Sequence, residues 1–177
     1  MASKPGTFAI EVDPVQLRDL LQTLNKLDKD TQNQIRDEAL PLSKRLAGQL
    51  LMFSQSSPTP ATKLVAQTIT AKRDRLIRVD IGGPKKVGRP YGGEASKSGK
   101  GARVRQQRAP AGALLWGTEF GSQKGTDSRG RAYTGRFGAP YNKRGYWINP
   151  AVDYYTPIVA QEYIQIVQAI IKKAGLD

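Results

Sequence analysis

The 177-residue sequence contains no cysteine and no histidine. Their absence excludes disulfides, thiol nucleophiles, Cys- or His-based zinc sites and every catalytic triad in which histidine is the base. Long hydrophobic runs are missing too, and no apolar stretch approaches the roughly 20 residues of a membrane-spanning helix. Met1 to Ile10 lacks the basic-then-apolar pattern of a secretory signal. Apolar residues make up 38 % of the chain, below the roughly 45–50 % of an average globular domain, so part of it is expected to lie outside the core. Together these absences predict a soluble, intracellularly made protein that is not an enzyme and uses no cofactor or metal.

Acidic residues are also scarce. Lys and Arg total 28 against 15 Asp and Glu, a net charge of +13. The excess is concentrated in two segments. Residues 82–113 carry Lys85, Lys86, Arg89, Lys97, Lys100, Arg103, Arg105 and Arg108 against Glu94 alone, a net of +7. Residues 121–146 carry Lys124, Arg129, Arg131, Arg136, Lys143 and Arg144 against Asp127 alone, a net of +5. Residues 82–146 also hold 15 of the 18 glycines. Glycine weakens helices and strands alike and like charges repel, so both segments are expected to be loops or arms.

The rest reads as a scaffold. Phe8, Ile10 and Val12 alternate with polar or small neighbours, a weak edge-strand signal. Asp13-Pro14 is a good helix start, and Leu17, Leu20, Leu21, Leu24 and Leu27 form one apolar stripe behind it. A second helix is expected from Thr31, where Thr31 and Gln34 make a capping-box pattern, with Ile35, Ala39, Leu42, Leu46, Leu50 and Phe53 as its stripe. Pro41 predicts a kink or break inside it. Ile77, Val79 and Ile81 alternate with Arg78 and Asp80 as a half-buried strand does. Ala113 to Gly121 is a short apolar element whose length leaves helix and strand open. Tyr146-Trp147-Ile148 reads as a strand, and Asn149-Pro150 as the start of a last helix that Pro157 kinks or restarts, with Thr156 as a new cap. Val159, Tyr163, Ile166 and Ile170 mark that helix's buried stripe, widened by Ile158 and Val167. The expected fold is a single α+β domain over 1–177: two N-terminal helices, a small antiparallel sheet, a long C-terminal helix, and Gly-rich basic loop insertions at 82–113 and 121–146.

Catalytic motifs fail one by one. No Gly-x-Ser-x-Gly sequence occurs, and no Gly-x-x-x-x-Gly-Lys-Ser/Thr loop. The carboxylate pairs Asp28/Asp30 and Asp37/Glu38 fall on a polar helix face or in a turn. Glu119 stands in an otherwise apolar element and is expected to be a buried partner for an Arg or Lys. The chemistry that remains is binding. The candidates are Lys85, Lys86, Arg89, Arg103, Arg105, Arg108, Arg129, Arg131 and Arg136, which would either neutralise nucleic-acid phosphates or clasp an acidic protein neighbour. Tyr91, Tyr133, Phe137 and Tyr141 are interleaved with them, as base-stacking groups or pocket anchors.

The order of segments resembles the tail-completion and head–tail joining (neck) family of long-tailed bacteriophages, the lambdoid minor tail component family. Its members begin with a leucine-rich helix and a longer second helix. A Pro-x-x-Thr-Gly-x-Leu-x-x-Ser-Ile stretch follows, to which Pro58 through Ile69 is similar, keeping Pro, Thr, Leu64 and Ile69 but not the Thr-Gly pair. Val79-Asp80-Ile81-Gly82 resembles the family's Val-x-Val-Gly strand end. Glu119-Phe120-Gly121-Ser122 resembles its Glu-Phe-Gly-Thr, and Tyr146 through Val152 its final Pro-Phe-Leu-Arg-Pro-Ala-Leu. The resemblance implies a non-enzymatic virion protein at the neck, in a homo-oligomeric ring of six or twelve copies. It would touch neighbouring connector, terminator or tail-tube proteins and the DNA passing through. No catalytic residue comes with it. The same basic loops on a nucleic-acid-binding factor are the alternative.

Overall fold

The computed structural model describes residues 7–12, 28–91, 107–122, 125–126, 132–133 and 137–175. The leucine stripe of Leu17 to Leu27 lies outside them. Among the described residues the architecture is mixed helix and sheet, built on one long N-terminal helix and one long C-terminal helix.

The first strand, β1 (Thr7–Val12), and the long helix α1 (Lys29–Ser56) are followed by a short helix α2 (Thr62–Ala66). Helix α1 starts earlier than the capping-box pattern suggests. Asp28 is its N-cap, and its side chain accepts from the Thr31 amide at 2.8 Å. Asp caps better than Thr, so the upstream residue takes the role. The bonds from the Thr31 hydroxyl and amide hold the Asp28 carboxyl below its ordinary value. Pro41 does not break the helix, which runs through it. Pro41 and Asp37, whose carbonyl loses its donor, are both exposed. Ile35, Ala39, Leu42, Leu46 and Leu50 are buried on both sides of the proline, and their shared burial carries the helix across it.

Strands β2 (Thr70–Lys72) and β3 (Ile77–Gly82) complete an antiparallel sheet of order β1-β3-β2. Its central strand shows the expected alternation: Ile77, Val79 and Ile81 are buried, while Arg78 and Asp80 are half-buried. Phe8 pairs with Ile81 and Ile10 with Val79, so β1 is the edge strand that its sequence suggests. Two hydroxyls tie sheet to helices. Ser43 Oγ of α1 accepts from the Arg78 amide at 3.1 Å, and Thr68 Oγ1 accepts from Gly82 at 2.8 Å.

Next come β4 (Lys86–Tyr91) and β5 (Gln107–Pro110), an antiparallel pair. The described ends of the first basic segment are therefore strands rather than loops. Helix α3 (Ala111–Phe120) resolves the helix-or-strand ambiguity of that apolar run in favour of helix. Two-residue strands β6 (Gly125–Thr126) and β7 (Ala132–Tyr133) pair within the second basic segment.

Helix α4 (Ile148–Lys173) closes the chain and packs along α1. Tyr146-Trp147-Ile148 is not a strand: α4 begins at Ile148. Pro150 falls in the first turn, where its missing N–H is harmless. Pro157 neither ends nor restarts α4, and Thr156 is inside the helix rather than a cap. Trp147, Val159, Tyr163 and Val167 are buried with the α1 stripe and the β3 residues in one apolar cluster. Ile166 is only half-buried and Ile158 is exposed, so the buried stripe turns toward Val167 and Ile171 instead. Across the α1–α4 seam, Arg45 makes a two-point contact with Glu162 (2.5 and 3.0 Å) and a bond to the Tyr155 hydroxyl at 3.1 Å. Glu162 holds the Arg45 pKa above its ordinary value, helped by Tyr155, and Arg45 holds that of Glu162 below its own.

Candidate functional site

Two surfaces stand out, one basic and one aromatic. The basic one is the β4–β5 ribbon. Its inner face is apolar, since Val87 and Ala109, directly paired, are both buried. Gly88 adopts φ +74 and lies so close to Leu64 of α2 that a Cβ would sit 3.0 Å from Leu64 Cδ1. The register shifts between Val87 and Tyr91, so Gly88, Arg89 and Pro90 stand opposite the single residue Arg108. This is a bulge, and Arg89 and Arg108 both fall within it. The base of the ribbon is tied to α3 by bonds from Ala111 N to Lys85 O (2.8 Å) and from Gly112 N to Gly83 O (2.9 Å).

Of the nine basic candidates, Lys85, Lys86, Arg89 and Arg108 lie together on this ribbon or at its base, and all four are exposed. Lys85 Nζ reaches the Gln67 carbonyl at 3.4 Å. Among the described residues no carboxylate lies within ion-pair distance of any of the four. Arg103, Arg105, Arg129, Arg131 and Arg136 lie outside the described residues. Of the interleaved aromatics, Tyr141 is exposed. The Phe137 ring packs where a Gly117 side chain would otherwise be, which makes it part of the fold.

The aromatic surface was missed as a site by reading the sequence. Trp116 of α3 is 62 % exposed and stacks on Phe120, with ring centroids 5.5 Å apart. Both border a cavity of about 250 Å³ lined by Leu115, Trp116, Glu119, Phe120, Ile148 and Asn149. A tryptophan one turn before Glu-Phe-Gly was the available signal, but helical phase was needed to turn it outward.

Glu119 is buried, though its partner is not an Arg or Lys. Its carboxylate accepts from three backbone amides at the start of α4: Ile148 (2.7 Å), Asn149 (2.9 Å) and Trp147 (3.3 Å). Trp147, at the N-cap position, offers no side-chain cap of its own. Glu119 is thus a remote cap, with its negative charge on the positive end of the helix dipole. Its backbone carbonyl also takes the Tyr146 amide at 2.8 Å, and the Phe120 carbonyl takes that of Asn142 at 2.8 Å. These bonds close residues 137–147 onto the end of α3. The cap requires glycine at 145, because at φ +80 a Cβ there would overlap Glu119 Oε1. Among the described residues no group of three or more Asp and Glu is placed to hold a metal ion. The arrangement can therefore bind and brace, through charge on one surface and aromatic area on another. No protein-family model, curated protein or solved structure matches the chain.

Proposed function

We propose that this chain is a non-enzymatic structural protein of a bacteriophage neck, joining tail to head as part of an oligomeric ring or collar. The observation that carries the reading is the order of the family-like segments along the chain, from Pro58–Ile69 through Glu119-Phe120-Gly121 to Tyr146–Val152. A ring of identical copies needs two different surfaces that fit each other. The Trp116–Phe120 pair supplies one apolar surface, and the exposed Tyr154 and Ile158 of α4 supply another. Mass spectrometry of purified virions of the encoding phage, with immunogold labelling against this chain, tests the proposal. Label at the head–tail junction in a few copies per particle supports it, and absence of the chain from particles overturns it.

A second reading, a nucleic-acid-binding factor outside the particle, is favoured by the four exposed cations of the ribbon. It gains the weight if the chain is absent from virions and binds duplex DNA as a monomer.

A further inference from the structure

We infer that the β4–β5 ribbon is a contact element for the phosphate backbone of duplex DNA, independent of sequence. The inference rests on the basic surface that favours the second reading and names its partner as duplex DNA rather than an acidic protein. Three features of the ribbon lead there. First, its faces are sorted: Val87 and Ala109 are buried, while Lys86 and Arg108, their chain neighbours, are exposed. Second, exposed Arg89 and exposed Arg108 fall in the same bulged stretch of the two strands, and Lys85 stands at the ribbon's base. Third, no carboxylate among the described residues lies within ion-pair distance of these cations.

An acidic protein partner would ask for more. Stable protein interfaces are built on an apolar, charge-depleted centre with aromatic anchors. Among the residues whose exposure is described, the exposed large apolar side chains (Leu51, Met52, Trp116, Tyr141, Tyr154 and Ile158) lie on α1, α3, α4 and the turn before α4, and none is on β4 or β5. Phosphate binding needs no such centre, because cations displacing counterions supply the affinity. A two-stranded ribbon also fits the major groove of B-form DNA, roughly 12 Å wide. The deep, narrow major groove of A-form RNA does not admit it.

The test is fluorescence anisotropy of the purified full chain on short mixed-sequence duplexes over a salt series. Each phosphate contact contributes about 0.9 to the slope of log affinity against log salt. The wild-type chain is expected to bind two unrelated duplexes equally, with a slope of about −3.6 or steeper. The combined variant K85A/K86A/R89A/R108A should lose about 3 to 4 of that slope, so that its affinity deficit is about 10²-fold larger at about 50 mM salt than at about 200 mM. The variant K172A/K173A, at the far end of α4, should change neither. If the combined variant fails to fold, Lys86→Ala and Arg108→Ala singly should each lower the slope by about 0.9. An unchanged slope in the ribbon variants, absence of duplex binding, or equal binding to double-stranded RNA overturns the inference. Particle association is scored separately, so a negative DNA result leaves the neck reading standing, and absence from virions leaves this one standing.

Discussion

Glu119 shows how one side chain joins two elements. The residue is 3 % exposed, and in place of a salt bridge its carboxylate takes three amide donors that α4 would otherwise leave unpaired. Glu119→Ala leaves those donors buried without a partner and is expected to cost about 2 to 4 kcal/mol in chemical denaturation. Gly145→Ala meets the same carboxylate from the other side and adds a disfavoured backbone conformation, for a loss of about 2 kcal/mol or more. Tyr163 acts alone. It is buried, its hydroxyl donates to the Arg75 carbonyl, and burial pushes its pKa from 10.0 up to about 12. A phenol raised in this way contributes its stability in full below about pH 10 and loses it as pH rises toward 12. Unfolding measured across that interval should show a decline of about 2 to 3 kcal/mol that Tyr163→Phe removes.

At the scale of elements, the two long helices each contain a proline and continue through it. Local propensity favours a break, and burial overrides it. Leu42, Leu46 and Leu50 beyond Pro41 join the same cluster as Ile35 and Ala39 before it, so a break would expose several large side chains to relieve one missing bond. Because Pro41 is exposed, Pro41→Ala should restore the bond to the Asp37 carbonyl without opening a cavity. The expected gain is about 1 to 3 kcal/mol, read as a higher denaturation midpoint. The β4–β5 ribbon shows the same logic from the opposite direction. Its charge and glycine content argue for a loop, yet the buried pair Val87 and Ala109 gives the two strands an apolar inner face.

For the whole molecule, the net charge of +13 bears on stability beyond the core. Self-repulsion of that size opposes the folded state, and salt screens it over a Debye length of roughly 10 Å at 0.1 M. The thermal midpoint of the isolated chain should therefore rise when sodium chloride is raised from about 0.02 to about 0.3 M, a range over which screening lengths fall several-fold. Differential scanning calorimetry in two buffers checks this. A neutral scaffold with the same core would show little change.

Periodicity by itself determined a good deal of this protein. The alternation of Ile77, Val79 and Ile81, the stripe from Ile35 to Leu50 and the apolar face of the C-terminal helix each encode which side is buried, because burial repeats with the geometry of strand or helix. Charge counting likewise located the basic surface, since Lys85, Lys86, Arg89 and Arg108 could only remain in water or meet an anion. Tertiary structure decided what depends on groups distant in sequence. Glu119 caps residues 28 to 30 positions away, and no local pattern marks a helix whose N-cap comes from another element. The strand expected at Tyr146 to Ile148 became a helix start because those amides found that carboxylate. The bulge that holds Arg89 and Arg108 exists only because two strands separated by fifteen residues pair. Local rules see only the neighbours along the chain, and these outcomes were set by neighbours in space.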